Sequence, residues 1–301
     1  MADSNSNRDS FQEEEVVILG ICRDVSSQLT WSLDKLKAAF GQFKEVHFRV
    51  VESDSSDSTV EILEEYKANN QNFDFESLGN LELNIPHRWE RIAFCRNSAS
   101  EMVRSDARLQ DCKWVVVADL DGINSEINST AVASCWIRND WEVCTANQSK
   151  NYHDVFALRH VNWSPNDCWG YETELIAKGL HPIIARERAI YGRQKKIPSD
   201  VAWIAVESAF GGLAIYKRDF FILGKYVGKT SDGIRTCEHV TFNKDLREAG
   251  ARIYINPSLI NSGWNEHNST HLPKNRLKRK IKLTLAVLGL SNFLTWFQPT
   301  S

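Results

Sequence analysis

The stretch "KWVVVADLDGIN", Lys113 to Asn124, sets two carboxylates, Asp119 and Asp121, one residue apart at the end of an apolar run of β-formers. Alternation in an extended chain points both side chains the same way. Three chemistries fit such a pair. One aspartate can act as a nucleophile with the other as helper acid. The pair can hold a divalent cation against a diphosphate. Or the two simply end a strand in a polar, turn-forming loop.

The elements around the pair decide where it sits. "VVILGICRD" (Val16 to Asp24) reads as an apolar strand, and "LTWSLDKLKAAFGQF" as a helix with Leu29, Leu33, Leu36 and Phe40 near helical spacing. "EVHFRVVESDSSDSTVEILEEYKANN" reads as a strand to about Val51, a polar loop, then a helix for which Asp57 or Ser58 is a natural N-cap. "RIAFCRNSASEMVRSD" is an amphipathic helix and "WEVCTANQ" a short strand. "GGLAIYKRDFFILG" runs strand to helix, "EHVTFNKDLREAG" is a helix stopped by Gly250, and "ARIYINPSLI" is a last strand. Strand alternating with helix predicts an α/β fold with a mainly parallel central sheet flanked by helices. Loops after parallel strands open on the carboxyl edge, where ligands bind. Three should meet there: Arg23-Asp24, Glu52 to Thr59, and Asp119 to Asn124.

Composition narrows the function classes. The chain has 301 residues, 42% hydrophobic and 25% charged, as in an ordinary globular protein. A net charge of −3 gives no reason to expect nucleic acid as a partner. Seven cysteines without a Cys-x-x-Cys pair point to a reduced, cytoplasmic protein rather than a disulfide framework or zinc site. Residues 1–14 are polar and acidic and are expected to be disordered. Residues 149–200, rich in Trp, Tyr, His, Asn and Pro, read as an irregular insertion on the acceptor side of a 15–271 domain.

Five stretches carry a family resemblance. "VVESDSSDSTVEIL" resembles the nucleotide-binding stretch of GT-A glycosyltransferases, particularly family 2, where a strand runs into Asp-Asp-Gly-Ser-x-Asp-x-Thr. "RIAFCRNSA" resembles that family's Ala-Arg-Asn helix and "VVVADLD" its Asp-x-Asp strand. "GGLAIYKRDFFILGKYVG" and "EHVTFNKDLREAGARIYINPSLI" are similar to its later segments, in order, so the likeness spans roughly residues 15 to 265. "YHDVFALRH" followed by "NDCW" also resembles a stretch of capsule-type mannosyltransferases, which use retaining chemistry.

The resemblance implies a GT-A (Rossmann-like) fold and transfer of a sugar from a nucleotide-diphosphate sugar to a hydroxyl of a glycan or lipid-linked acceptor, with Mn²⁺ or Mg²⁺. Asp121 is then the metal ligand, and Asp119 holds the ribose or supports the metal. His267 and His271 stand where a third ligand often follows the last strand. Glu52 and Asp57 are expected at the nucleotide, Arg96 at the diphosphate through its planar guanidinium, and Asn97 at the loop. Glu238, His239 and Glu207 are the candidate bases. The chain departs from the family at Glu52 and Ser53, which replace two Asp, and at His239, which stands at the usual catalytic Asp. Trp163 and Trp169 are placed to stack on acceptor sugars.

Two rival readings remain. A phosphatase of the haloacid dehalogenase type would use "DLDG", but it needs that motif near the domain start, a downstream lysine and an acidic pair. A sugar- or nucleotide-binding module with a degenerate site is the other. The end of the chain stands apart: from Leu272 onward it has six Lys/Arg and no Asp/Glu, leaving about −9 on the rest. "KNRLKRKIKLTLAVLGLSNFLTWF" is short for a spanning helix, and 274–301 is expected to contact a membrane peripherally, on its cytoplasmic face.

Overall fold

The computed structural model describes residues 10–290. Its strands are β1 (Glu15–Cys22), β2 (Glu45–Glu52), β3 (Phe73–Ser77), β4 (Cys112–Ala118), β5 (Val143–Gln148), β6 (Ile204–Val206), β7 (Leu213–Lys217) and β8 (Ile253–Ser262). They form one sheet in the order β3-β2-β1-β4-β7-β5-β8-β6. The pairs β1–β2, β1–β4, β2–β3 and β5–β8 are parallel. β7 lies antiparallel between β4 and β5, and β6 lies antiparallel on β8. All strands except β6 and β7 therefore point the same way, and the fold is the mainly parallel α/β sheet that the sequence predicts.

The helices are α1 (Leu29–Ala39), α2 (Thr59–Asn69), α3 (Arg88–Ser105), α4 (Ser129–Ala133), α5 (Cys168–Ala177), α6 (Pro182–Arg186), α7 (Arg218–Phe221), α8 (Glu238–Glu248) and α9 (Pro273–Val287). Strand alternation sorts the core into two layers. Val16 and Ile18 face one layer, packing with Leu29, Leu33 and Leu36 of α1 and Leu63 of α2. Val17 and Leu19 face the other, with Ala93, Ala99 and Val103 of α3 and Phe242 and Leu246 of α8. Both faces being covered explains why "VVIL" and "VVVA" read as unbroken apolar runs.

Three expectations change. Ser10–Glu13, inside the stretch expected to be disordered, forms a 3-10 turn. Phe11 holds it there, 2% exposed and stacked 4.4 Å from Trp136. Second, residues 149–200 are irregular only in part, for Cys168–Ala177 and Pro182–Tyr191 are helical. Asp167 caps α5 by accepting from the Gly170 N–H at 2.7 Å, and Pro182 opens α6, which runs into a π-helical turn, Glu187–Tyr191. α6 and the turn after it have five residues each, too few to show a period, and the buried face of α5 is interrupted by Glu172 between Cys168 and Leu175, so the signal lies in the caps. Third, β3 and β6 are short additional strands at the two edges of the sheet.

α9 packs beside α6, with Ala286 buried and Arg279 paired to Glu187 at 3.1 Å. Among the described residues no helix is long and apolar enough to cross a membrane. The aromatic end of the tail (Phe293, Trp296, Phe297) lies outside the described residues.

Candidate active site

The three loops meet at the carboxyl edge. The Asp24 N–H donates to Ser55 Oγ at 3.1 Å, and Asp24 Oδ1 accepts from the Ser56 N–H at 2.7 Å, tying the first loop to the second. Asp119, Leu120 and Asp121 close the other side of a cleft of about 330 Å³, with Ser53, Asp54 and Arg91 opposite. The loop after β4 is held internally. Asp121 Oδ1 accepts from the Ile123 N–H at 3.1 Å, and Gly122 takes φ +85°, which glycine adopts without a Cβ clash. Asn124 Nδ2 donates to the carbonyls of Asp119 (2.8 Å) and Gly212 (3.2 Å), while its Oδ1 accepts from Asn261 at 2.8 Å.

At the centre lies Arg96, 6% exposed. Its Nη2 donates to Asp119 Oδ1 and its Nε to Glu238 Oε1, both at 3.0 Å, and its guanidinium lies 5.1 Å from the Phe210 ring centroid. Burial pushes the Asp119 carboxyl up to about 7; Arg96 opposes the rise, and Asp121 and Asp154 add to it. His239 stacks on Phe210 at 3.8 Å, and neither of its ring nitrogens has a hydrogen-bond partner. Burial, helped by the Arg96 charge, holds it well below the ordinary histidine range, so the ring is neutral. A second lobe of about 640 Å³ opens beyond this centre. Arg96, Asp119, Glu238 and His267 line both lobes.

Asp119, Asp121, Arg96, Glu238, His239 and His267 are thus brought together, and six expected residues are not. Glu52 is 2% exposed, and its carboxylate accepts from the Ser55 N–H (2.9 Å) and Ser77 Oγ (2.5 Å), so it organises the loop. Asp57 accepts from Thr59 and from the Ser26 N–H, fixing the start of α2. Asn97 spends its amide on the backbone of Tyr226, at 2.8 and 2.9 Å. Glu207 is 55% exposed at its side chain and pairs with Arg247 at 3.5 Å, outside both lobes. His271 turns toward α9, where Arg279 Nη1 lies 3.1 Å from its Nδ1. Trp169 lines the second lobe, whereas Trp163 donates to the Arg193 carbonyl and packs on Tyr152.

Several residues of the cleft gave no chemical signal of their own in the sequence. Asp54 takes φ +60° at the place where the resembled pattern has glycine, and it faces Arg91 at 3.4 Å. Asp154, from "YHDVFALRH", accepts from the Gly211 N–H at 2.9 Å and lines the second lobe. His153 stacks on His267 at 5.5 Å; burial lowers its pKa to about 4, so the ring is neutral, with one nitrogen free to accept. Arg88 lines both lobes and has no carboxylate within 4.0 Å among the described residues.

The donor set fits a divalent cation. Carboxylate oxygen with imidazole nitrogen suits Mn²⁺, and a cation would relieve the crowding of Asp119 with Asp121 and Asp154. The ligand atoms are not gathered here as a tight trio. Among the described residues, Glu15, His47 and Cys112 place three such atoms within 4.8 Å of one another, but these sit where β1, β2 and β4 begin, at the opposite edge of the sheet.

No family model matches this chain, and no curated protein matches it. Solved structures do. The chain is similar to S. aureus TarS, residues 1–349 (14% identity, 91% of this chain and 65% of that one, TM-score 0.47). It is similar to the mannosyltransferase PcManGT from Pyrobaculum calidifontis in complex with GDP-Man and Mn²⁺ (12%, 92% and 64%, TM-score 0.48). It is also similar to GalNAc-T7 with UDP, GalNAc and Mn²⁺ (16%, 82% and 43%, TM-score 0.47). The chain spans less than two thirds of the length of each. At such identities the likeness is one of chain trace, and the chemistry has to come from this chain's own residues.

Proposed function

We propose that this protein is a metal-dependent glycosyltransferase that moves a sugar from a nucleotide-diphosphate sugar to a hydroxyl of a glycan or lipid-linked acceptor. The observation that carries it is Arg96 bridging Asp119 and Glu238 where the two lobes join. The first lobe holds the donor and the second the acceptor, with 149–200 as the acceptor wall. Asp121, helped by His267, holds Mn²⁺ or Mg²⁺, and Asp119 holds the ribose or supports that ligand set. The bound cation would supply positive charge to the departing diphosphate. Arg88, with no carboxylate of its own, faces the diphosphate, because Arg96 is already committed to two.

In the inverting form of the reaction, the bond between the anomeric carbon and the diphosphate oxygen breaks, and its electron pair leaves on the diphosphate. The acceptor oxygen bonds to the carbon from the other side, and its proton passes to Glu238 or His239. Neutral His239 has a free nitrogen for this; Glu238 has a carboxylate that Arg96 already orients. The phosphatase reading lacks its lysine: none lines either lobe among the described residues. All seven cysteines are buried and unpaired, which suits a reducing, cytoplasmic setting.

Thermal unfolding with UDP-, GDP- and dTDP-sugars, with and without Mn²⁺, tests the reading. One nucleotide class should stabilise the protein in a Mn²⁺-dependent way, and Asp121→Ala should abolish both that shift and transfer while folding normally. If no nucleotide sugar shifts the transition, the proposal fails.

A further inference from the structure

The outer face of α9 is built unlike an ordinary surface helix. Leu277, Ile281 and Leu288, spaced by four and seven residues, share one face and are 64%, 37% and 63% exposed. Lysines 274, 278 and 280 flank that stripe, and the helix has no acidic residue. Among the described residues Lys274, Arg276, Lys278, Lys280 and Lys282 pair with no carboxylate, whereas Arg279, on the inner side, is neutralised by Glu187. An apolar stripe between rows of uncompensated cations is complementary to one environment, the surface of an anionic bilayer.

Behind the stripe lies a groove of about 460 Å³ between α9 and the turn that follows α6. Its charges are unequal. Glu172 pairs with Arg186 and Glu187 with Arg279, which leaves Lys278 and Lys282 over. Thr270 Oγ1, on the same wall, has no hydrogen-bond partner. Arg186 and Tyr191 line both this groove and the second lobe of the cleft, so the bilayer face and the site of transfer adjoin.

We propose that the acceptor is an amphiphile with a phosphate headgroup, drawn from an anionic bilayer on which α9 lies. Lys278 and Lys282 hold its phosphate in the groove, and its sugar hydroxyl reaches the second lobe past Arg186 and Tyr191. This rests on the glycosyltransferase reading above and adds the acceptor class to it; the transfer step is the same.

The test uses the full chain and vesicles. Phosphatidylcholine vesicles are compared with ones containing phosphatidylglycerol or phosphatidic acid at equal surface charge, phosphatidic acid presenting a bare phosphate. Co-sedimentation should require the anionic lipid and fall about tenfold or more when Leu277, Ile281 and Leu288 are all changed to Ser. These side chains are exposed, so the thermal transition should not move. The wild type should prefer phosphatidic acid to phosphatidylglycerol. K278Q/K282Q should erase that preference, whereas K274Q/K280Q, with the same loss of charge outside the groove, should weaken both alike and keep it. Equal binding to neutral vesicles, no effect of the serine variant, or a preference that survives K278Q/K282Q overturns the proposal. Inorganic phosphate separates the free ion: if it stabilises the wild type but not K278Q/K282Q, and vesicles show no preference, the groove serves a soluble phosphate and the lipid source is wrong. Nucleotide-sugar binding is measured without vesicles. Its failure would sink the enzymatic reading and leave the vesicle result to stand or fall alone.

Discussion

Glu238 and His239 are neighbours at the start of α8, yet the structure gives them different work. Glu238 is ion-paired to Arg96, and its charge helps to fix the guanidinium that also holds Asp119. His239 is neutral and unpartnered and faces the second lobe. If the histidine takes the acceptor proton, His239→Ala should slow transfer by about a hundredfold or more with donor affinity nearly kept. Glu238→Gln should then weaken donor binding as well, because Arg96 loses one of its two anchors. If Glu238 is the base, Glu238→Gln alone gives the pure rate loss and His239→Ala does not. Measuring kcat and donor Kd for both variants separates the cases, and two wild-type rates would remove both residues from the chemistry. The sequence shows this pair, Arg96 and the two aspartates because each lies in a short local pattern. It does not show His153 or Asp154 as site residues, since only the folded 149–200 segment brings them to the cleft. It overstates Glu52, Asp57 and Asn97, whose polar atoms are satisfied by nearby backbone and hydroxyl groups.

At the scale of elements, the site depends on the loop after β4 being rigid. Asn124 ends the opening stretch, and its amide joins that loop to Gly212, just before β7, and to Asn261, near the end of β8. It is 3% exposed, so its removal strands buried partners rather than handing them to water. Asn124→Ala should therefore cost about 1–3 kcal/mol in chemical denaturation. Mn²⁺-dependent donor affinity should fall with it, although Asn124 lines neither lobe. A stability loss with unchanged donor binding would show that Asp119 and Asp121 hold their positions without this lock. The parallel half of the sheet was legible because strands covered on both faces need unbroken apolar runs and their helices are long enough to show a period. The edge strands β3 and β6 and the short α6 were not, because three to five residues carry no period, and the strands' pairing is set by distant partners. Ten-residue α5 was not, because the polar Glu172 sits on its buried face between Cys168 and Leu175.

Taken whole, the molecule gathers the candidate site at the carboxyl edge of the sheet and a set of structural ties between strands at the amino edge. The aromatic packing of Phe11 on Trp136 lies at that second edge, as does a charge cluster that ties β5, β7 and β8 together. There Glu142, 6% exposed, accepts from the Arg252 N–H, Nε and Nη2, each at 2.9 Å, and from Lys217 Nζ at 3.2 Å. Burial would raise the carboxyl, but the hydrogen bonds from Arg252 and then Lys217 outweigh it and hold it at about 2. An ordinary glutamate in the unfolded chain titrates near 4.3. The folded value is the lower one, so the unfolded state takes up the proton first as pH falls. The stabilisation is complete above the ordinary carboxyl range and is lost as pH drops from there toward about 2. It should amount to roughly 2 kcal/mol, reduced from the full shift because Arg252 is half exposed. Glu142→Gln should therefore unfold at lower temperature than the wild type at neutral pH, and the gap should narrow steadily on acidification. Donor binding at neutral pH should be unchanged, since the cluster lines neither lobe. A gap between the two proteins that stays constant into the acid range would mean that Glu142 acts through packing and not through its charge.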